Sequence, residues 1–148
     1  DAFYFYPVSI FSESRAKQNT NPKKGYLIDN GFIRALQLDI FENHGLLLEN
    51  LVYMELRRLH PDIYYYKTKV GTEVDYIFYQ DRKPQLIQVC ETLRDTEKRE
   101  VSALLIAMKE MGVKQGTILT SNESKTLTID RKTIQVLPVW TYLLQALR

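Results

Sequence analysis

The period of apolar and polar positions changes several times along the chain, and each change marks an element. Phe3-Tyr4-Phe5-Tyr6-Pro7-Val8 reads as a short extended segment that the proline stops. Ser12 to Lys24 has no long apolar run and carries Arg15, Lys17, Lys23 and Lys24. Two readings stand for it, a solvated surface loop or a mobile basic arm. Tyr26-Leu27-Ile28 predicts a buried strand ending at the turn signature Asp29-Asn30-Gly31, with a short helix over Phe32–Leu38. Leu47, Leu48, Leu51, Val52, Met54, Leu56 and Leu59 give a broad apolar face to a helix running from the N-cap Asn43 to Leu59, where Pro61 prevents its continuation. Strands follow over Asp62–Lys67, Glu73–Tyr79 and Gln85–Cys90. Their connectors, around Val70-Gly71 and Gln80-Asp81-Arg82-Lys83-Pro84, are short enough for hairpins and predict an antiparallel meander.

Asp95 opens a third helix, with Val101, Leu104, Leu105, Met108 and Met111 at helical spacing and Gly112 as its cap. Gln115–Thr120 is a strand reached by a helical crossover, hence parallel to its neighbour. Leu127–Ile129 and Thr133–Leu137 pair around Asp130-Arg131-Lys132, and Pro138 leads into a terminal helix over Val139–Leu147. Helix, three-strand meander, helix and strand make an α/β fold, a mixed sheet flanked by helices.

Composition adds bounds. The 148 residues suit one domain with a proper core, and 45% hydrophobic content is ordinary for a globular protein. No apolar run approaches the roughly 18 residues of a membrane helix, so no bilayer span is expected. The chain starts at Asp1 rather than Met, as a piece of something longer would. One cysteine excludes an intrachain disulfide and fits a reducing, cytoplasmic compartment. A net charge of +2 neither demands nor forbids nucleic acid, because binding follows a local patch.

Polar residues inside apolar segments carry the candidate chemistry. Glu49 has Val52, Tyr53 and Leu56 at i+3, i+4 and i+7, so it points to the packed side, where a carboxylate requires a metal, a cation or donors. A bond from Tyr53, from a strand tyrosine or from a backbone amide is the plain alternative. Asp75 is disfavoured among the strand formers Val74, Tyr76, Ile77 and Phe78. It shares a strand face with Glu73, and two such acids suit Mg²⁺; a salt bridge to Lys67, Lys69 or Arg82 is the alternative. Gln88 shares its face with Leu86 and Cys90 and offers a carbonyl oxygen without charge. Cys90, with no adjacent base, reads as a half-buried strand cysteine, and His44 and His60 as surface or capping residues. Two histidines and one cysteine give no zinc spacing. The Tyr64-Tyr65-Tyr66 run reads as sheet packing.

Glu49, Asp75, Gln88 and Cys90 fall in the order in which a metal-dependent nuclease of the PD-(D/E)XK type places a helix Glu, a strand Asp and a Glu-x-Lys pair. Gly45–Val52, Tyr64-Tyr65-Tyr66, Gly71–Ile77 and Ile87-Gln88-Val89 extend the likeness, as do Tyr26–Gly31, Arg99–Leu104 and Val136–Trp140. On these motifs nearly the whole chain resembles the C-terminal domain of bacterial and archaeal AAA+-type ATPases. The resemblance implies a restriction-endonuclease-like α-β-β-β-α-β core over residues 25–148. Residues 1–24 are then a strand and basic linker from an upstream region. It also implies an upstream P-loop ATPase and a winged-helix segment as the domain's partner. ATP would bind only there, since no G-x-x-x-x-G-K-[ST] occurs in this chain.

Gln88 replaces the second carboxylate and Cys90 the lysine, so the resemblance implies a remnant site. Glu49 and Asp75 are its metal candidates, for weakly held Mg²⁺ at most, and phosphodiester cleavage is not expected. A migrated lysine, Lys69 or Lys98, would be the exception. Two functions follow. One is an inactive module contacting nucleic acid such as DNA, with Lys67, Lys69 and Arg82 on a basic rim; the other is a docking domain that positions the ATPase.

Overall fold

The computed structural model describes residues 4–36 and 44–146. The expected N-cap Asn43, Phe3, and the helix ends drawn to Leu38 and Leu147 lie outside the described residues. The element order is β1 (Phe5–Val8), α1 (Arg15–Thr20), β2 (Lys24–Leu27), α2 (Asn30–Leu36), α3 (His44–Leu59), β3 (Tyr64–Lys67), β4 (Glu73–Gln80), β5 (Lys83–Val89), α4 (Glu97–Glu110), β6 (Gln115–Thr120), β7 (Lys125–Ile129), β8 (Lys132–Pro138) and α5 (Val139–Ala146).

Six strands form a mixed sheet in the order β3-β4-β5-β6-β8-β7, while β1 and β2 pair separately. The β3-β4-β5 meander is antiparallel, β5, β6 and β8 are parallel, and β7 returns antiparallel on β8. Alternation along the strands sends side chains into two cores. Tyr76, Phe78, Ile87 and Leu119 pack with Val52, Tyr53 and Leu56 of α3 on one face. Ile77, Leu86, Ile118 and Ile134 pack with Val101, Leu104, Ala107 and Met108 of α4 on the other. Leu56 and Leu104 are at most 1% exposed, so removing each from water stabilises the fold by about 2 kcal/mol.

The structure departs from the expected boundaries for local reasons. Asp29 Oδ1 accepts the Gly31 N–H, so the anticipated turn becomes the start of α2. Ser12–Lys24 is not one loop: Ser14 caps α1, with its side chain accepting from Lys17 N–H, and Lys24 opens β2. The β4–β5 connector shrinks to a tight turn. Gln80 pairs with Lys83, and Asp81 and Arg82 take φ of 50° and 63°. Asp130 and Arg131 repeat the device between β7 and β8, at 48° and 61°. Gly112 caps α4 at φ 68°, as the sequence predicts.

Candidate functional site

The site forms where β4 and β5 separate. Their pairing runs from Gln80↔Lys83 to Tyr76↔Ile87. On the other side Tyr64 faces Ile77 and Tyr66 faces Val74, so two steps on β3 match three on β4. That bulge at Asp75 and Tyr76 re-aims the Asp75 side chain. Asp75 Oδ2 accepts the Val89 N–H at 2.8 Å, and the Asp75 N–H donates to Gln88 Oε1 at 3.2 Å. Side chains thus take the places of ladder partners, and a cleft of about 620 Å³ opens against α3 and α4.

A lysine from outside the main sheet enters this cleft. Lys24 Nζ lies 2.7 Å from Asp75 Oδ1 and 3.1 Å from Glu49 Oε1. Glu49 Oε1 also accepts the Tyr26 hydroxyl at 2.6 Å. Lys24 and Tyr26 are two apart on β2, so they share a face. Buried Asn50 fixes that strand on α3: its Oδ1 accepts Leu27 N–H at 2.8 Å and its Nδ2 donates to Leu27 O at 2.9 Å. Burial pulls the Lys24 ammonium down, but Asp75 and Glu49 outweigh it and raise its pKa. Asp75 is pushed up to about 6 by burial and then by Glu49, against the pull of Lys24 and the Val89 N–H. Burial and the Glu49 charge hold the Tyr26 phenol protonated, as a donor.

Glu100 of α4 completes the cluster. It is 4% exposed, its Oε2 accepts Gln88 Nε2 at 2.8 Å, and Arg99 Nε donates to its Oε1 at 2.9 Å. Glutamine at position 88 therefore has a physical reason. Its oxygen serves the Asp75 amide and its nitrogen serves a buried carboxylate that a second acid would repel. Cys90 borders the cleft as a neutral thiol, pushed up to about 12 by burial, with Glu100 and Glu123 adding to it. A nucleophilic or ammonium-like role does not suit it.

Glu49, Asp75, Gln88 and Cys90 all line this one cleft. Of the open alternatives for Glu49, the strand tyrosine is present in Tyr26. Asp75 pairs with Lys24, while Lys67 pairs with Glu73 at 3.5 Å. Lys67, Lys69 and Arg82 do not gather. The Lys69 N–H is bound by Glu110 at 3.0 Å, and Arg82 sits in the turn beyond the opposite end of β4 from Glu73. Lys98 is exposed on α4. His60 stacks on Phe78 at 4.1 Å between ring centroids, and His44 is the exposed first residue of α3. Sequence reasoning missed Lys24 and Glu100 as site residues. The signal for Glu100 was its place on the buried stripe with Ala103, Leu104 and Ala107, and for Lys24 its alternation with buried Tyr26.

With Lys24 seated between its two acids, the cleft does not fit a divalent ion. Lys24 already bonds both metal candidates, and the Gln88 oxygen is engaged by a backbone amide. Among the described residues, no group of three or more His, Cys, Asp or Glu side chains could hold a metal. The lining is acidic: Glu49, Glu73, Asp75, Glu91 and Glu100 face Lys24 and Arg99, both already paired. At the opposite end of parallel β6 and β8, Lys109, Lys114, Arg131 and Lys132, with Asp130 the one acid among them, surround a hollow of about 240 Å³. None of these four makes an ion pair with a described residue.

No helix among the described residues is long and apolar enough to cross a membrane. No solved structure matches the chain. The uncharacterized protein MJ1544 of Methanocaldococcus jannaschii is 32% identical over 153 residues, covering 96% of this chain and 33% of that protein. The chain thus spans about a third of the length of this curated relative. Residues 44–142, from the start of α3 into α5, match the model of a domain of unknown function, DUF4143. The chain belongs to the DUF4143 family.

Proposed function

We propose that the chain is a nuclease-like accessory domain of an ATPase-type protein, catalytically silent at its cleft, that contacts nucleic acid elsewhere. The observation that carries this reading is the convergence of Glu49, Asp75 and Gln88 on one cleft whose cation is Lys24. The order of those residues on α3, β4 and β5 is that of a restriction-endonuclease-like core. Cleavage of a phosphodiester requires an activated water and a free positive charge for the phosphate, and Lys24 is neutralised by two acids. The greater length of the archaeal relative leaves room for an ATPase region.

The five carboxylates of the cleft repel a phosphate backbone, whereas Lys109, Lys114, Arg131 and Lys132, free of ion pairs with described residues, attract one. Supplied with Mg²⁺ or Mn²⁺, the domain is expected to leave single- and double-stranded DNA intact. Anisotropy of labelled DNA at low salt should show weak, sequence-independent binding. The triple variant Lys114→Glu, Arg131→Glu, Lys132→Glu should lose it, with a salt slope reduced by roughly one unit per lost contact. Metal-dependent cleavage abolished by Asp75→Asn would overturn the silent reading. Loss of binding only on reversal of Lys67, Lys69 and Arg82 would return the contact to the rim expected from sequence. Absence of binding at low salt would favour the docking role, for which Tyr4, Phe5 and Phe32 are exposed beside an apolar hollow lined by Phe5, Gly25 and Ile33.

A further inference from the structure

We infer that Lys24 is a tethered resident cation at a latent divalent-metal site, its ammonium holding the position between Glu49 and Asp75 that a metal ion would take. The inference rests on the nuclease-like reading only for its ancestry; the geometry stands without it. One nitrogen lies within hydrogen-bond reach of an oxygen from each acid, at 3.1 Å and 2.7 Å. Mg²⁺ binds carboxylate oxygens at ~2.1 Å, so a modest closure of the same two oxygens would seat an ion.

Both acids are aimed without help from a metal. Asp75 is fixed through its other oxygen by the Val89 N–H, and Glu49 by the Tyr26 hydroxyl. Two half-buried to buried carboxylates facing one ammonium leave a residual negative charge. The pair would therefore tolerate, and on loss of the ammonium require, a second source of positive charge. Delivery of Lys24 is built into the fold. Tyr26 stacks on Tyr53 at 4.2 Å between centroids, and Asn50 clamps Leu27, so β2 is anchored on α3.

The test uses Mn²⁺ alone, read by calorimetric titration and by thermal unfolding, and needs no DNA. Failure here is therefore separable from failure of the nuclease-like reading, which the cleavage assay decides. Wild-type protein should neither bind Mn²⁺ at millimolar concentration nor shift its Tm. Lys24→Met keeps the aliphatic stem and removes the charge. It should bind one Mn²⁺ and unfold several degrees higher with the ion than without, a response lost in Lys24→Met/Asp75→Asn. Should Lys24→Met be unfolded in the absence of metal, Mn²⁺ should refold it. Asp75-dependent binding of Mn²⁺ by the wild type would overturn the inference. So would a Lys24→Met protein, folded or unfolded, that ignores the ion.

Discussion

Gln88 and Glu100 are matched as donor and acceptor, both buried at the wall of the cleft. Replacing the amide by an acid sets two carboxylates against each other. Gln88→Glu is expected to destabilise the domain by about 1–3 kcal/mol in denaturant unfolding, and Glu100→Gln introduced with it should recover most of the loss. Asp75 offers a second measurement. Its carboxyl should titrate near pH 6 by NMR, and Lys24→Met should move it higher, because the lysine pulls it down. With the folded pKa above the unfolded 3.8, the native state binds the extra proton between those values. The Asp75 contribution therefore falls as pH rises through that window, opposite to a carboxylate freely ion-paired at the surface, and Asp75→Asn should remove the slope. At this scale Glu49, Asp75 and Gln88 were legible, because polar residues in apolar runs are conspicuous. Glu100 was not, since what an amide at position 88 means depends on a helix that follows it in sequence.

Elements were legible wherever periodicity was long. The α3 and α4 stripes, the meander and the parallel crossover follow from apolar spacing and connector length. Short elements were legible only in part: a strand at Tyr26-Leu27-Ile28 was expected, but α1 and the extension of β2 back to Lys24, held by Asn50 and Tyr26, were not. Both hairpins were expected, but the two-residue form of their turns was hidden for a different reason. Asp81-Arg82 and Asp130-Arg131 sit at positive φ without glycine, so the local sequence understates the turn. The double variant Asp81→Asn, Arg82→Gly supplies the residue types that such a turn favours. It should stabilise the domain by about 1 kcal/mol, read as a shift in the urea midpoint at constant m. Gly116 has the opposite expectation. A Cβ there would meet Met108 Sδ at 2.9 Å and Leu104 Cδ2 at 3.1 Å, beneath α4. Gly116→Ala should cost about 1–3 kcal/mol in the same assay, by pushing the helix from the sheet.

At the scale of the molecule, the small net charge of +2 conceals segregation. Carboxylates crowd the cleft beside Val89 and Cys90, at the C-terminal end of β5, while Lys109, Lys114, Arg131 and Lys132 occupy the end where β6 and β8 begin. Sequence could not reveal this, because residues 49, 75 and 100 meet only through the topology, and so do 109 and 131. A chain so divided carries a permanent electric dipole along its parallel strands. Two copies in dilute buffer should attract head to tail, the basic end of one toward the acidic cleft of the next. The osmotic second virial coefficient should then be negative at low ionic strength and rise toward positive values by about 0.1 M salt, where the screening length falls to ~10 Å. The Lys114→Glu, Arg131→Glu, Lys132→Glu variant should lose that salt response, since its two ends would repel whichever way they met.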